Sequence, residues 1–353
     1  MKILRFSLMI TVVMYYCICA VNGSERKALV IANNAYQASY ALPKTTITSA
    51  EALSSVLMAM DVKLFRGRPL TNLNFHDFES SLDEFAANIS YNDIAFFYYG
   101  GHGFSDSFEN YLLPIDGDPE DADKIIKVQT VLQKLGERPS LGSVIFIDAC
   151  RDNGPQHAFM TPSSPSPNQV LVVYSSQPGS RSPAESVFAW QLKENIAQPG
   201  TEIHDIIRDM MHWNVKGLAP ARFYIGADTL THDILLREPV SVPVQAQVEG
   251  DLELLLNDRV VFNSHGKAPS SGTILLKSGR NNMAVIVYKD PNFPGQYYSG
   301  WSYSLIIGPD RNPPILRLED DYDSPPGVRE GRRQAKGFGL RVDPQTALVQ
   351  RIY

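Results

Sequence analysis

The chain has 353 residues, enough for two domains that each bury a core. Hydrophobic residues make up 44% and charged residues 20%, the balance of an ordinary globular protein. A formal charge of −6 argues against a general nucleic-acid binder and against a basic membrane-surface protein.

Lys2 and Arg5 open the chain, residues 6–20 are almost continuously apolar, and small residues follow at Ala20 and Gly23. This predicts a secretory signal peptide over residues 1–23 and an exported protein, periplasmic or secreted. The alternative is an uncleaved anchor, for which the run is short. Cys17 and Cys19 belong to this leader, so the mature chain keeps Cys150 alone of its three cysteines, with no internal disulfide. A lone thiol in an oxidising compartment is a liability, easier to understand if the thiol works; the alternative is a buried, inert cysteine.

Residues 27–32 predict a central strand, 49–60 a helix with Ala52, Leu53, Val56, Leu57 and Met60 on one side, and 62–65 a second strand. Residues 74–88 predict a helix, with Phe75, Phe78, Leu82 and Phe85 at three- and four-residue steps. Strands follow at 94–99 and 111–115, a helix at 128–135, and strands at 143–147 and 170–174. Helices at 187–197 and 202–215 and a strand at 222–225 complete the pattern. Strands alternating with helices, and apolar on both faces, imply an α/β fold with a mainly parallel sheet flanked by helices. Residues 24–237 form this domain. Residues 238–248, with Pro239 and Pro243, are expected to be a linker. Beyond it helical spacing ends, and runs at 251–256, 259–262, 273–277, 283–288, 301–307, 315–318, 337–342 and 348–352 predict an all-β sandwich over residues 249–353. Residues 162–167 are a biased Pro/Ser loop.

Two strand ends carry chemistry. The run ending at Tyr99 leads into Gly100-Gly101-His102-Gly103, and the run ending at Ile147 leads into Asp148-Ala149-Cys150-Arg151, with 48 positions from His102 to Cys150. Open parallel sheets place their sites beyond the carboxyl ends of the strands. There a thiolate is a nucleophile and a nearby imidazole holds its proton.

Tyr98-Tyr99-Gly100-Gly101-His102-Gly103 and Asp148-Ala149-Cys150-Arg151 resemble the two active-site motifs of the caspase-like cysteine peptidases, especially bacterial caspase-like proteins, metacaspases and paracaspases. The segment from Lys27 to Tyr36, Leu42-Pro43, and Glu109-Asn110-Tyr111-Leu112-Leu113-Pro114 agree, and the resemblance covers residues 25–236. It implies a cysteine endopeptidase in which Cys150 attacks the scissile carbonyl and His102 moves the proton. The backbone N–H groups of Gly103 and Cys150 would face the oxyanion, and a side chain at position 103 would crowd the carbonyl. Asp148 would lie in the substrate pocket and select arginine or lysine before the cleaved bond. Ser175 and Ser176 would line the peptide groove. The chain departs from the family at Thr48-Ser49, where a second pocket aspartate is usual. That departure keeps open a pseudoenzyme or exported binding scaffold with an intact dyad.

The acidic segment 116–123 lacks the spacing of a calcium loop, and the seven histidines form no zinc pattern, so no metal or cofactor is expected. Arg329, Arg332, Arg333 and Lys336 form a small basic loop, too little for nucleic-acid binding in an acidic protein. The expected partner is a polypeptide substrate. Trp301, Tyr297, Tyr298 and Tyr303 leave open a surface protein or glycan partner for the second domain, which weakly resembles a galactose-binding sandwich.

Overall fold

The computed structural model describes residues 25–37, 41–106, 109–152, 167–182, 187–212, 223–248, 251–265, 268–288, 301–308, 314–322, 333–342 and 349–351. The expected signal peptide, the Pro/Ser loop up to residue 166, Tyr297 and Tyr298 lie outside these residues.

The first half is a three-layer α/β unit. Its elements are β1 (Arg26–Ala32), α1 (Thr45–Ala59), β2 (Lys63–Leu64), β3 (Leu70–Thr71), α2 (Phe75–Ala87), β4 (Ile94–Gly100), β5 (Gly103–Ser105), β6 (Asn110–Leu112), β7 (Ile126–Lys127), α3 (Val128–Gly136), β8 (Gly142–Asp148), β9 (Val170–Tyr174), α4 (Val187–Ile196), α5 (Ile203–His212) and β10 (Tyr224–Asp228). The main sheet runs β10-β9-β8-β4-β1-β2, with β3 also on β1. All its pairings are parallel except β9 with β10.

Alternation decides the layers. Val30, Phe96, Tyr98, Phe146 and Val173 pack under α1, α4 and α5. Ile31, Phe97, Tyr99, Ile147 and Val172 pack under α2 and α3. Every residue of β4 and β8 is buried, which explains their unbroken apolar runs. Asn74 caps α2 by accepting the Asp77 N–H, and Phe78, Leu82 and Phe85 turn inward from that start.

The second half contains β11 (Val240–Val248), β12 (Asp251–Leu256), β13 (Arg259–His265), β14 (Ser270–Leu276), β15 (Gly279–Tyr288), β16 (Trp301–Ile307), β17 (Leu316–Tyr322), β18 (Arg333–Val342) and β19 (Val349–Arg351). They form two antiparallel sheets, β14-β11-β16-β17 and β13-β12-β15-β18-β19. Leu252, Val285 and Leu340 of one meet Val244, Ile274 and Leu305 of the other in a single apolar core, so the pair is a sandwich.

Two expectations are corrected. Residues 238–248 are not a linker, because β11 pairs on both sides and buries Val242, Val244, Ala246 and Val248. Its prolines misled the reading. Pro243 lies one residue outside the β16 pairing, and its carbonyl still accepts the Gly308 N–H (2.9 Å), so the ladder loses little. Of the four residues expected in a basic loop, Arg333 and Lys336 lie within β18, and Arg329 and Arg332 lie outside the described residues.

Candidate active site

The His and Cys segments leave adjacent parallel strands. Gly100 of β4 is paired with Asp148 of β8, and the alignment continues past the sheet: Gly101 N–H donates to Asp148 C=O (3.2 Å) and Ser105 N–H to Asp152 C=O (3.1 Å). His102 and Cys150 therefore sit on neighbouring segments at the carboxyl edge of the sheet.

Tyrosines fix the backbone at His102. Its N–H donates to Tyr36 Oη (2.9 Å), and Tyr99 Oη donates to its C=O (2.8 Å). The two hydroxyls lie 3.1 Å apart, and the Tyr36 ring leans on the imidazole with centroids 4.5 Å apart. Burial pushes the Tyr36 phenol up to about 12, so it stays a neutral donor and acceptor. A Cβ at Gly101 would fall 2.5 Å from Tyr99 Oη and 2.7 Å from Tyr36 Oη, so the clamp requires glycine there.

Gly103 is required by the protein's own packing. A Cβ there would fall 2.8 Å from Tyr111 O, 2.9 Å from Ala149 Cβ and 3.1 Å from Cys150 O. Its backbone direction follows from the β5–β6 ladder. Leu113 N–H donates to His102 C=O (3.0 Å), so His102 and Phe104 address β6 while Gly103 and Ser105 address the opposite side. Ser105 does so by bonding Asp152. The Gly103 N–H is thus turned toward the Cys150 segment.

Cys150 is partly exposed and is the free cysteine of the described residues. Burial pushes its thiol above the ordinary range; the Ser182 backbone N–H opposes this, Asp152 and Asp148 add to it, and Arg181 opposes it.

Asp148 lies beneath Cys150 on the α1 and α4 face, nearly buried. Its carboxylate accepts from Tyr98 Oη (3.3 Å) and Ser182 Oγ (3.0 Å). Burial raises its pKa, while the Ser182, Ser175 and Tyr98 hydroxyls and the Ala189 N–H lower it. Ser175 and Ser176 are buried, with hydroxyls on Ser182 Oγ (2.8 Å) and Ala149 C=O (3.0 Å). Both residues are all but closed to solvent, backbone included. Thr48 Oγ1 bonds the Thr45 carbonyl (3.2 Å) in the first turn of α1.

Beside His102 a cleft of about 740 Å³ is lined by Tyr36, Gly103, Asp116, Asp118, Glu120 and Asp152, among others, with Lys124 on its wall. The acids have structural work. Asp116 accepts the Phe75 N–H (2.7 Å), Asp118 the Glu120 N–H (3.0 Å) and Asp121 the Asp123 N–H (3.0 Å). Among the described residues no group of three or more His, Cys, Asp or Glu is placed to hold a metal ion.

Two residues that the sequence did not single out shape the site. Arg151 turns inward, and its guanidinium lies 3.9 Å from the Tyr174 ring centroid. Ser182 Oγ donates to Asp148 Oδ1 (3.0 Å), and its backbone N–H is among the groups that lower the Cys150 pKa. Its only sequence signal was a serine-rich stretch after an apolar strand.

His102 and Cys150 thus leave adjoining strand ends, with the Asp148 carboxylate buried at the same edge of the sheet. The sequence profile of the family described as Caspase domain matches residues 25–216. That is more than half of the 353 residues, and the chain belongs to this family of caspase-like cysteine peptidases. Over 130 residues it is 25% identical to mucosa-associated lymphoid tissue lymphoma translocation protein 1 of Homo sapiens, and equally so to the Mus musculus homolog. The matched stretch is 36% of this chain and spans 15% of the length of each relative. Caspase-1 from Spodoptera frugiperda superposes with a TM-score of 0.45 at 16% identity, over 61% of this chain and 91% of that one. Its pro form gives 0.41 at 14% identity, over 61% and 92%.

Proposed function

We propose that this chain is a cysteine endopeptidase that cleaves after arginine or lysine through His102 and Cys150. One observation carries the reading: segments 101–105 and 148–152 dock in register, with the Gly103 amide turned toward Cys150 and His102 facing an open cleft. Cys150 Sγ attacks the carbonyl carbon and its proton passes to His102. The oxyanion is met by the N–H groups of Gly103 and Cys150. His102 protonates the departing amine as the carbon–nitrogen bond breaks, and water then hydrolyses the thioester. The leaving half of the polypeptide follows the imidazole into the cleft beside it.

Asp148 binds the basic side chain before the cleaved bond. Its charge is among the groups that hold the thiol protonated. A guanidinium that neutralises it favours the thiolate, so the right substrate also activates the nucleophile. Export rests on the apolar leader at residues 6–20, and recruitment of a surface protein or glycan by the sandwich rests on its aromatic residues. A secretion assay tests the first, and a glycan screen of the full chain tests the second.

The second reading is a pseudoenzyme scaffold. The observation that favours it is the engagement of Asp148 by internal donors. A peptide electrophile ending in arginine separates the two. The peptidase reading expects labelling of Cys150 that is lost in His102→Ala. Absence of labelling by arginine, lysine and aspartate probes alike overturns it in favour of the scaffold.

A further inference from the structure

Residues 177–182 run back along the nucleophile segment. Arg151 N–H donates to Ser180 C=O and Gly179 N–H to Arg151 C=O, both at 2.8 Å. Arg181 Nε meets Asp152 Oδ2 at 2.9 Å at the exposed end. This strap delivers Ser182 to the pocket carboxylate. Its Oγ lies 3.0 Å from Asp148 Oδ1 and 2.8 Å from Ser175 Oγ.

We infer that Ser182 is a positioning residue that holds the pocket carboxylate: its hydroxyl orients Asp148, and the strap that delivers it is tied to the nucleophile segment at Arg151. The inference rests on the peptidase reading above. The physical need is plain. A carboxylate this deeply buried does not stay charged without donors. Its described surroundings are Tyr98 from β4, Ser175 at the end of β9, Ser182 from the strap, the Ala189 N–H from α4, and Cys150. Cys150 itself faces Asp148, Asp152, Arg181 and Ser182. Among these donors Ser182 alone is carried by a segment whose backbone pairs with Arg151, the residue after the nucleophile. The strap thereby ties recognition of a cation to the geometry of attack.

The test compares the full chain with its Ser182→Ala and Ser182→Thr variants on two peptides that differ only in arginine or its neutral isostere citrulline before the cleaved bond. Loss of the donor raises the Asp148 pKa, so the acid limb of kcat/KM for the arginine peptide moves to higher pH in Ser182→Ala. The citrulline limb stays in place. The arginine-to-citrulline preference falls roughly tenfold, the worth of one hydrogen bond to a charged group. Threonine restores both. In an Asp148→Asn background, Ser182→Ala leaves the preference unchanged, which a general folding defect does not produce. If Ser182→Ala is too unstable to assay, the same comparison is made with Ser182→Gly. An unchanged limb and preference in alanine or glycine overturns the role of Ser182. Failure of the unaltered chain to be labelled by arginine, lysine and aspartate electrophiles alike overturns the peptidase reading instead, so the two failures are distinct.

Discussion

Replacing Arg151 by lysine keeps the charge beside the nucleophile and removes its shape. The guanidinium lies 3.9 Å from the Tyr174 ring centroid and 5.0 Å from that of Tyr224, donates from Nε to Asn110 Oδ1 (2.7 Å) and reaches Ser176 C=O from Nη1 (3.3 Å). It ties β6, β9 and β10 together, and no carboxylate pairs with it among the described residues. Burial lowers its pKa, which marks the cost of the site. A desolvated cation–π contact contributes about 2 kcal/mol, and a hydrogen bond from a charged donor about 1.5–3 kcal/mol. An ammonium keeps the desolvation cost but cannot cover a ring and fork to two acceptors at once. Arg151→Lys should therefore lose about 2–4 kcal/mol. At roughly 2–4 °C per kcal/mol, the thermal midpoint should fall by about 4–16 °C. Arg151→Met removes the buried charge with the contacts and should lose less. Thermal unfolding followed by circular dichroism measures both. A lysine variant that melts within a degree of the parent, or a methionine variant that melts below the lysine one, refutes the view that guanidinium geometry secures this corner.

Gly103→Ala should abolish turnover and lower the midpoint, because a methyl group would meet the Tyr111 and Cys150 carbonyls and the Ala149 side chain; full kcat in that variant would contradict the packing argument. Gly101→Ala should impair activity through the tyrosine clamp, and Gly101→Ala combined with Tyr36→Phe should recover part of it, since that change removes the Tyr36 oxygen 2.7 Å from the new methyl. Alkylation of Cys150 by iodoacetamide without substrate should rise with pH along a curve centred above that of free cysteine, because burial and the neighbouring carboxylates disfavour the thiolate. Asp148→Asn should move this curve to lower pH, and a shift the other way would show that the carboxylate does not act on the sulfur. Peptides with glutamate just after the cleaved bond should be cut more slowly than those with lysine there, because Asp116, Asp118, Glu120 and Asp152 line the cleft beside His102. Equal kcat/KM values would place the leaving chain elsewhere.

The parts of the molecule that were legible in the sequence are those whose burial is dictated by local pattern. β4 and β8 are buried on both faces, so their apolar runs give element and boundary together. α2 was legible because Phe78, Leu82 and Phe85 repeat at helical spacing behind an Asn74 cap. β11 was not, because prolines outweighed the alternation of Val242, Val244, Ala246 and Val248, and only the partner strands reveal that Pro243 costs little there. β5 and β7 were illegible for a related reason: three- and two-residue strands carry no period and exist only through β6 between them.

The candidate site divides along the same line. His102 and Cys150 were visible because strand ends announce themselves, and Gly103 because it follows the histidine. The reason for Gly103 changed, since the carbonyls and methyl it must avoid belong to the chain itself. Arg151 and Ser182 were hidden because their importance comes from contacts across 23 to 73 positions, from Tyr174 and Tyr224 to Arg151 and from Ser182 to Asp148. A buried arginine paired with no carboxylate among the described residues, and a serine hydroxyl shared by a carboxylate and a second serine, leave no periodic trace. What they add is coordination: Arg151 anchors the strap through Ser180 and Gly179, and the strap brings Ser182 to Asp148. A substitution that loosens Arg151 should therefore be felt first as lost discrimination between arginine and citrulline, before any global unfolding, because the strap ends at the pocket.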